Sequence, residues 1–170
     1  MQYLCHWVAV YSATFFREQF GLSLASVALL SLIGGILFAL ALIVGGQLVQ
    51  RVGRKRQLVT TLAISSPALM MVPFIPNLWI VLLISWAGGF IYGMSFPANT
   101  SLILEQAPES RGTMMSMSSI FVTFGMGLGT AFGGVALILS GWIGLILTFA
   151  AMQLIAAAVF FFLTKDPCRT

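Results

Sequence analysis

What most constrains this chain of 170 residues is the distance between its charges. All its Asp, Glu, Lys and Arg residues fall into four short clusters: Arg17 and Glu18; Arg51, Arg54, Lys55 and Arg56; Glu105, Glu109 and Arg111; and Lys165, Asp166 and Arg169. Between them, residues 19–50, 57–104 and 112–164 run for 32, 48 and 53 positions with no charge at all. A helix crosses a bilayer with about 20 apolar residues. The first stretch therefore holds one span with a polar approach, and each of the others holds a pair joined by a tight turn. Soluble chains carry about 25% charged residues, whereas this one has 7%, with 59% hydrophobic. Too few polar side chains exist to clothe a water-exposed surface, so lipid is the expected solvent.

Breakers and interfacial aromatics locate the turns. Pro73, Pro76 and Asn77, with Trp79 beside them, interrupt the second stretch; Ser140 and Gly141, followed by Trp142, interrupt the third. The expected spans are 23–48, 57–75, 79–103, 114–139 and 142–164, joined by cytoplasmic loops at 49–56 and 104–113. Long unalternating apolar runs favour helices over barrel strands, since only these two forms satisfy their own backbone in lipid. Residues 1–16 lack the basic start and cleavage site of a signal peptide. They are also short for a span, and read either as the outer end of a helix whose beginning is missing or as a short first span.

The densest basic cluster, Arg51 to Arg56, is expected in the cytoplasm. Alternation puts 105–112 and the C-terminal tail on the same side. The net charge of +4 is then a topological signal rather than a nucleic-acid footprint, because the cluster has neither interleaved aromatics nor a polar domain around it; a phospholipid contact by that loop stays open. Cys5, in the first apolar segment, and Cys168, in the cytoplasmic tail, read as unpaired thiols. His6 stands without further donors nearby, and no CxxC, HExxH, phosphate loop or nucleophile elbow occurs, so no metal, cofactor or enzymatic chemistry is expected.

Between the second and third spans stands Gly46-Gln-Leu48-Val-Gln50-Arg51-Val-Gly53-Arg54-Lys55-Arg56. This resembles the Gly-x-Leu-Ala-Asp-Arg-x-Gly-Arg-Lys/Arg signature of the major facilitator superfamily, with Gln50 where the signature has Asp. Glycines there let helix ends approach and turn, and a basic cluster can neutralise helix C-termini or pair with a neighbouring segment. Gln50, unlike an acid, offers only uncharged hydrogen bonds to such a cationic latch. Pro108-Glu-Ser-Arg111-Gly112 is similar to the family's next cytoplasmic loop, and Phe16 to Ser23 to the outer loop after the first helix of a six-helix half. Gly125-Met-Gly127-Leu-Gly129-Thr-Ala-Phe-Gly133-Gly134 looks like a degenerate fifth-helix motif of the antiporter branch, with Thr130 in place of Pro.

The fold that this resemblance implies is an all-α integral membrane protein, a six-helix bundle half with its first helix truncated. The fourth span carries no buried Arg and the chain ends soon after the sixth, which looks like a carboxy-terminal half. Gly125, Gly129 and Gly133 share one helical stripe and suit close packing or flexing, and Gly89 and Gly93 with Pro97 suggest a thinned, kinkable fourth span. By resemblance, the first and fourth helices line the pathway, which makes Tyr11, Trp86, Tyr92 and Asn99 the substrate candidates; interhelical packing is their other reading. The last three fall within about 120° of one another around their helix. Gln153 reads as a packing or interfacial residue. Gly45-Gly46 and Gly133-Gly134 are a possible trace of inverted repeats.

The implied activity is transport of a small organic molecule by alternating access, with efflux as the expected direction, across a bacterial inner membrane. The implied partners are lipid, the substrate and an amino-terminal six-helix half, on the same or a separate chain. The spans hold no Asp, Glu, Lys or Arg, so a proton-coupled cycle would draw its carrier from that other half or from His6, and uncoupled facilitation is the alternative. A non-transporting membrane component, or an inactive fragment of a transporter, is the competing class.

Overall fold

The computed structural model describes residues 3–106 and 108–163, so Cys168 and the charges of the C-terminal tail lie outside the described residues. Among the described residues every regular element is helical. In chain order these are α1 (Tyr3–Phe20), α2 (Leu24–Val52), α3 (Arg54–Met71) with a 3-10 turn (Val72–Phe74), α4 (Leu78–Gly93), α5 (Ser95–Gln106), a second 3-10 turn (Pro108–Ser110) and α6 (Arg111–Leu163). Four stretches, Leu24–Val52, Arg54–Phe74, Leu78–Glu105 and Arg111–Phe162, are long and apolar enough to cross a membrane.

Local chemistry sets the ends of these helices. Ser23 caps α2 by accepting the Ser26 N–H at 3.2 Å, and the Asn77 side chain accepts the Trp79 N–H at 3.0 Å at the start of α4. Residues 49–56, expected as a loop, are helical apart from Gly53, which turns the chain in a single step with φ 90° and ψ 147°. That backbone region is open to glycine and strained for other residues. α1 runs on to Phe20, so Arg17 and Glu18 ride on its last turn. The helix beginning at Leu78 breaks at Met94, three residues before Pro97; proline has no N–H for the Gly93 carbonyl and its ring crowds that oxygen.

Within α6 the backbone leaves helical geometry at Gly141, with φ 63° and ψ −160°. A Cβ on Gly133, eight residues before that point, would stand 2.9 Å from the ring of Phe149, eight residues after it. The two arms, 111–140 and 142–163, are therefore folded against each other as an antiparallel hairpin. Trp142 then closes the hairpin end of the bundle onto α1: its indole N–H donates to Glu18 at 3.0 Å and its ring meets Phe15 edge-on at 5.3 Å.

Polarity is distributed the opposite way from a water-soluble fold. Leu29, Ile36, Phe124, Ile138 and Phe162 are all more than half exposed, whereas Gln57, Thr61, Ser65, Ser66 and Gln153 are buried. An apolar exterior matches a hydrocarbon solvent. The buried hydroxyls bond to backbone: Thr61 donates to Gln57 O at 2.8 Å, Ser65 to Leu62 O at 3.3 Å, and Ser66 across to Ala150 O at 3.0 Å, joining α3 to the second arm of α6. Gln153 donates its amide to the Ser65 hydroxyl along the same seam.

Helices lacking a hydrophobic drive between them associate through small residues. A Cβ on Gly45 of α2 would lie 2.7 Å from both the Cα and the carbonyl oxygen of Met94, at the α4–α5 break, while one on Gly46 would meet nothing within 4 Å. Replacing Gly45 by Ala must push backbone apart and should cost about 1–3 kcal/mol of stability, whereas Gly46→Ala should be neutral or slightly stabilising. Thermal or denaturant unfolding of the two variants in matched detergent distinguishes them, and equal stabilities would show that the contact does not constrain the bundle.

Candidate functional site

Two adjoining regions concentrate polar chemistry: a junction where α2, α3 and α5 meet, and a cavity between α1, α2 and α4.

At the junction, the signature residues occupy the end of α2 and the start of α3. Leu48 is half-buried, while Gln50 and Arg51 are exposed on the last turns of α2; Gly53 makes the turn, and Arg54, Lys55 and Arg56 form the first turn of α3. The Arg54 guanidinium forms an ion pair with the Glu105 carboxylate at the end of α5. The acid that position 50 does not supply is thus furnished from another helix. Each member sits at the unfavourable pole of its own helix, a cation at the positive N-terminus of α3 and an anion at the negative C-terminus of α5. Pairing relieves both placements at once.

Lys55 Nζ stands 5.7 Å from the centroid of the Phe161 ring, a cation–π contact that ties the same turn to the last arm of α6. One turn further into α3, Gln57 is 1% exposed and its amide N–H₂ donates to Gly45 O at 3.0 Å and to Met94 O at 2.7 Å. Three helices therefore converge on one side chain, at the place where the glycine lets α2 approach the broken helix. Neither Glu105 as the partner of Arg54 nor Gln57 as the staple was identified from sequence. The signals were present, an acid closing a charge-free stretch and an amide directly after a basic run, but helix register alone did not bring them together. Arg111 and Gly112, at the start of α6, are exposed, and a Cβ on Gly112 would meet nothing within 4 Å.

The cavity has a volume of about 310 Å³ and lies against the half of α2 nearest its start. Trp86 lines it and rests against α2 at Gly34, where an added Cβ would come within 3.5 Å of the indole nitrogen; Gly89 lines the floor with nothing within 4 Å of an added Cβ. The other pathway candidates lie elsewhere. Tyr11 donates its hydroxyl to Thr130 O at 2.9 Å, joining α1 to α6; Tyr92 is buried at the end of α4; and Asn99 is half-buried on α5. The remaining stripe glycines also separate: Gly93 is tight against Ala41 and Phe38, Gly129 makes ordinary contact with Phe149, and Gly125 is half-buried in the first arm of α6. His6 lies where no side chain is described.

The ion pair is partly exposed, at 24% for Arg54 and 30% for Glu105, so water screens it. A double-mutant cycle of Arg54→Gln and Glu105→Gln, read by unfolding at low salt, should return a coupling of about 1 kcal/mol that shrinks in high salt. Additive single effects would mean that the two charges do not sense each other.

Comparison with known proteins gives the same architecture a lineage. Residues 1–169 match the family model described as Major Facilitator Superfamily. Over 121 residues the chain is 24% identical to the "Uncharacterized MFS-type transporter YceJ" of Bacillus subtilis (strain 168), an alignment that takes in 71% of this chain and 31% of that relative. With a family match along nearly its whole length and an apolar, all-helical bundle, the chain is a membrane protein and belongs to the major facilitator superfamily.

Proposed function

We propose that the chain is the carboxy-terminal six-helix half of a transporter that moves a small organic molecule by alternating access, rocking against an amino-terminal half around a site near the bilayer midplane. The observation that carries this reading is the Arg54–Glu105 pair within the Gly46–Arg56 signature. A bond between two helix ends, each charge otherwise opposed by its own helix pole, is an interaction that can be made in one state and released in another at modest cost. Arg51 and Arg56, exposed beside it, keep that end of the bundle at the cytoplasmic surface of a bacterial inner membrane, with the C-terminus on the same side.

Efflux is the proposed direction, and the mechanism is the same whether the amino-terminal half is on the same polypeptide or on a separate one. Trp86 and the cavity it lines would face the pathway. No Asp, Glu, Lys or Arg lies in 19–50, 57–104 or 112–164, so a coupling proton would be carried by the other half.

Gly53 tests the gate. A leucine there must hold φ near 90°, which costs about 1–3 kcal/mol and reorients the first turn of α3. Gly53→Leu, co-reconstituted with the amino-terminal half in proteoliposomes, should lose most of its transport across a panel of neutral, cationic and anionic fluorescent dyes while still inserting in the membrane. Unchanged dye transport by an inserted variant would rule out the gating role.

A further inference from the structure

We infer that the cavity between α1, α2 and α4 binds a neutral, flat aromatic molecule carrying a hydrogen-bond acceptor. The inference rests on the transport reading, which supplies the reason for such a molecule to be held there. Its volume, about 310 Å³, falls at the lower end of the range for small-molecule sites. Its walls are the rings of Phe16, Phe38 and Trp86. Two of these are fixed by other aromatics: Phe16 meets Phe15 at 5.6 Å, and Phe38 meets Phe96 edge-on at 5.9 Å. Aromatic surfaces held in this way favour a flat guest that stacks on them or meets them by the edge.

The polar groups in the wall can all donate, and among the described residues none has a hydrogen-bond partner. Several helical hydroxyls in the bundle bond back to the preceding turn, as Ser116, Ser119, Thr123 and Thr148 do. The hydroxyls of Ser12, Ser31 and Ser85, one from each of the three helices, bond to no group among the described residues, nor does the Trp86 indole N–H. An indole N–H can only donate, so the group that completes this set is an acceptor such as a carbonyl or ether oxygen. Among the described lining residues none is ionisable, and a charged guest would lie in a low-dielectric wall without a counter-charge. Gly35 and Gly89 add an independent sign: a Cβ at either would meet nothing within 4 Å. Helix packing does not require these glycines, and what they leave open is the cavity.

The test is binding of N-phenyl-1-naphthylamine to the full chain in lipid nanodiscs, read by fluorescence against empty discs. Displacement should be tighter by 2-acetylnaphthalene than by 2-isopropylnaphthalene, which has the same shape without the acceptor, by about threefold or more. That preference should vanish in the Ser31→Ala/Ser85→Ala double variant. Gly35→Leu and Gly89→Leu, placed where an added Cβ meets nothing within 4 Å, should each weaken probe binding by about tenfold with circular dichroism and elution volume unchanged. Equal displacement by the two naphthalenes, tighter displacement by tetraphenylphosphonium, normal binding by both folded leucine variants, or no binding above empty discs would each overturn the inference. Binding as expected with no dye transport leaves the site standing and removes the transport reading; dye transport that survives both leucine substitutions does the reverse.

Discussion

A backbone that breaks inside a bilayer exposes polar groups that need partners, and in this bundle one amide is placed at the break. Pro97 forces the break at Met94. Gly45 lets α2 come close enough to share the gap, and Gln57 donates to carbonyls on both sides of it. In hydrocarbon an unsatisfied polar group costs several kcal/mol, so the approach of α2, the kink of the α4–α5 helix and the entry of α3 are not independent features. Removing the amide would take a donor from Met94 O at the break and untie α3 from Gly45 O in α2, and this side chain is buried almost completely just inside a cluster of cations.

The same junction couples structure to mechanism. Gly53 lets α2 pass into α3 in one residue, which places Arg54 over the C-terminal end of α5 and Lys55 beside Phe161. The helix poles make the Arg54–Glu105 pair more than a surface contact, since separating it exposes each charge to repulsion from its own helix. Deep in the bundle, Ser65, Ser66 and Gln153 bind α3 to the last arm of α6. The result is a frame tied along α3 to its neighbours, with a partly exposed ion pair at one end.

Much of this could be read from residues alone. The charge-free stretches gave the apolar helices, Pro73, Pro76 and Asn77 fall where α3 ends and α4 begins, and Gly141 is the point at which α6 doubles back. The family signature was legible because it is contiguous. What could not be read depended on which faces meet. Gln57 opens an expected span directly after a basic run with nothing local to show which carbonyls it reaches, Glu105 lies far along the chain from Arg54, and the bond from Tyr11 to Thr130 O joins residues 119 positions apart. The cavity serines carry no local signal at all, because an unbonded hydroxyl differs from a back-bonded one only in the geometry around it.

The account depends on the junction having two states, with the Arg54–Glu105 pair made in one and open in the other. Spin labels at Arg56 and Glu109, both exposed and flanking the pair, allow the separation of the two helix ends to be measured by pulsed electron resonance in nanodiscs. Two distance populations whose ratio shifts toward the longer one when Glu105 is replaced by Gln are the predicted result. A single distance, unmoved by that substitution, would contradict it.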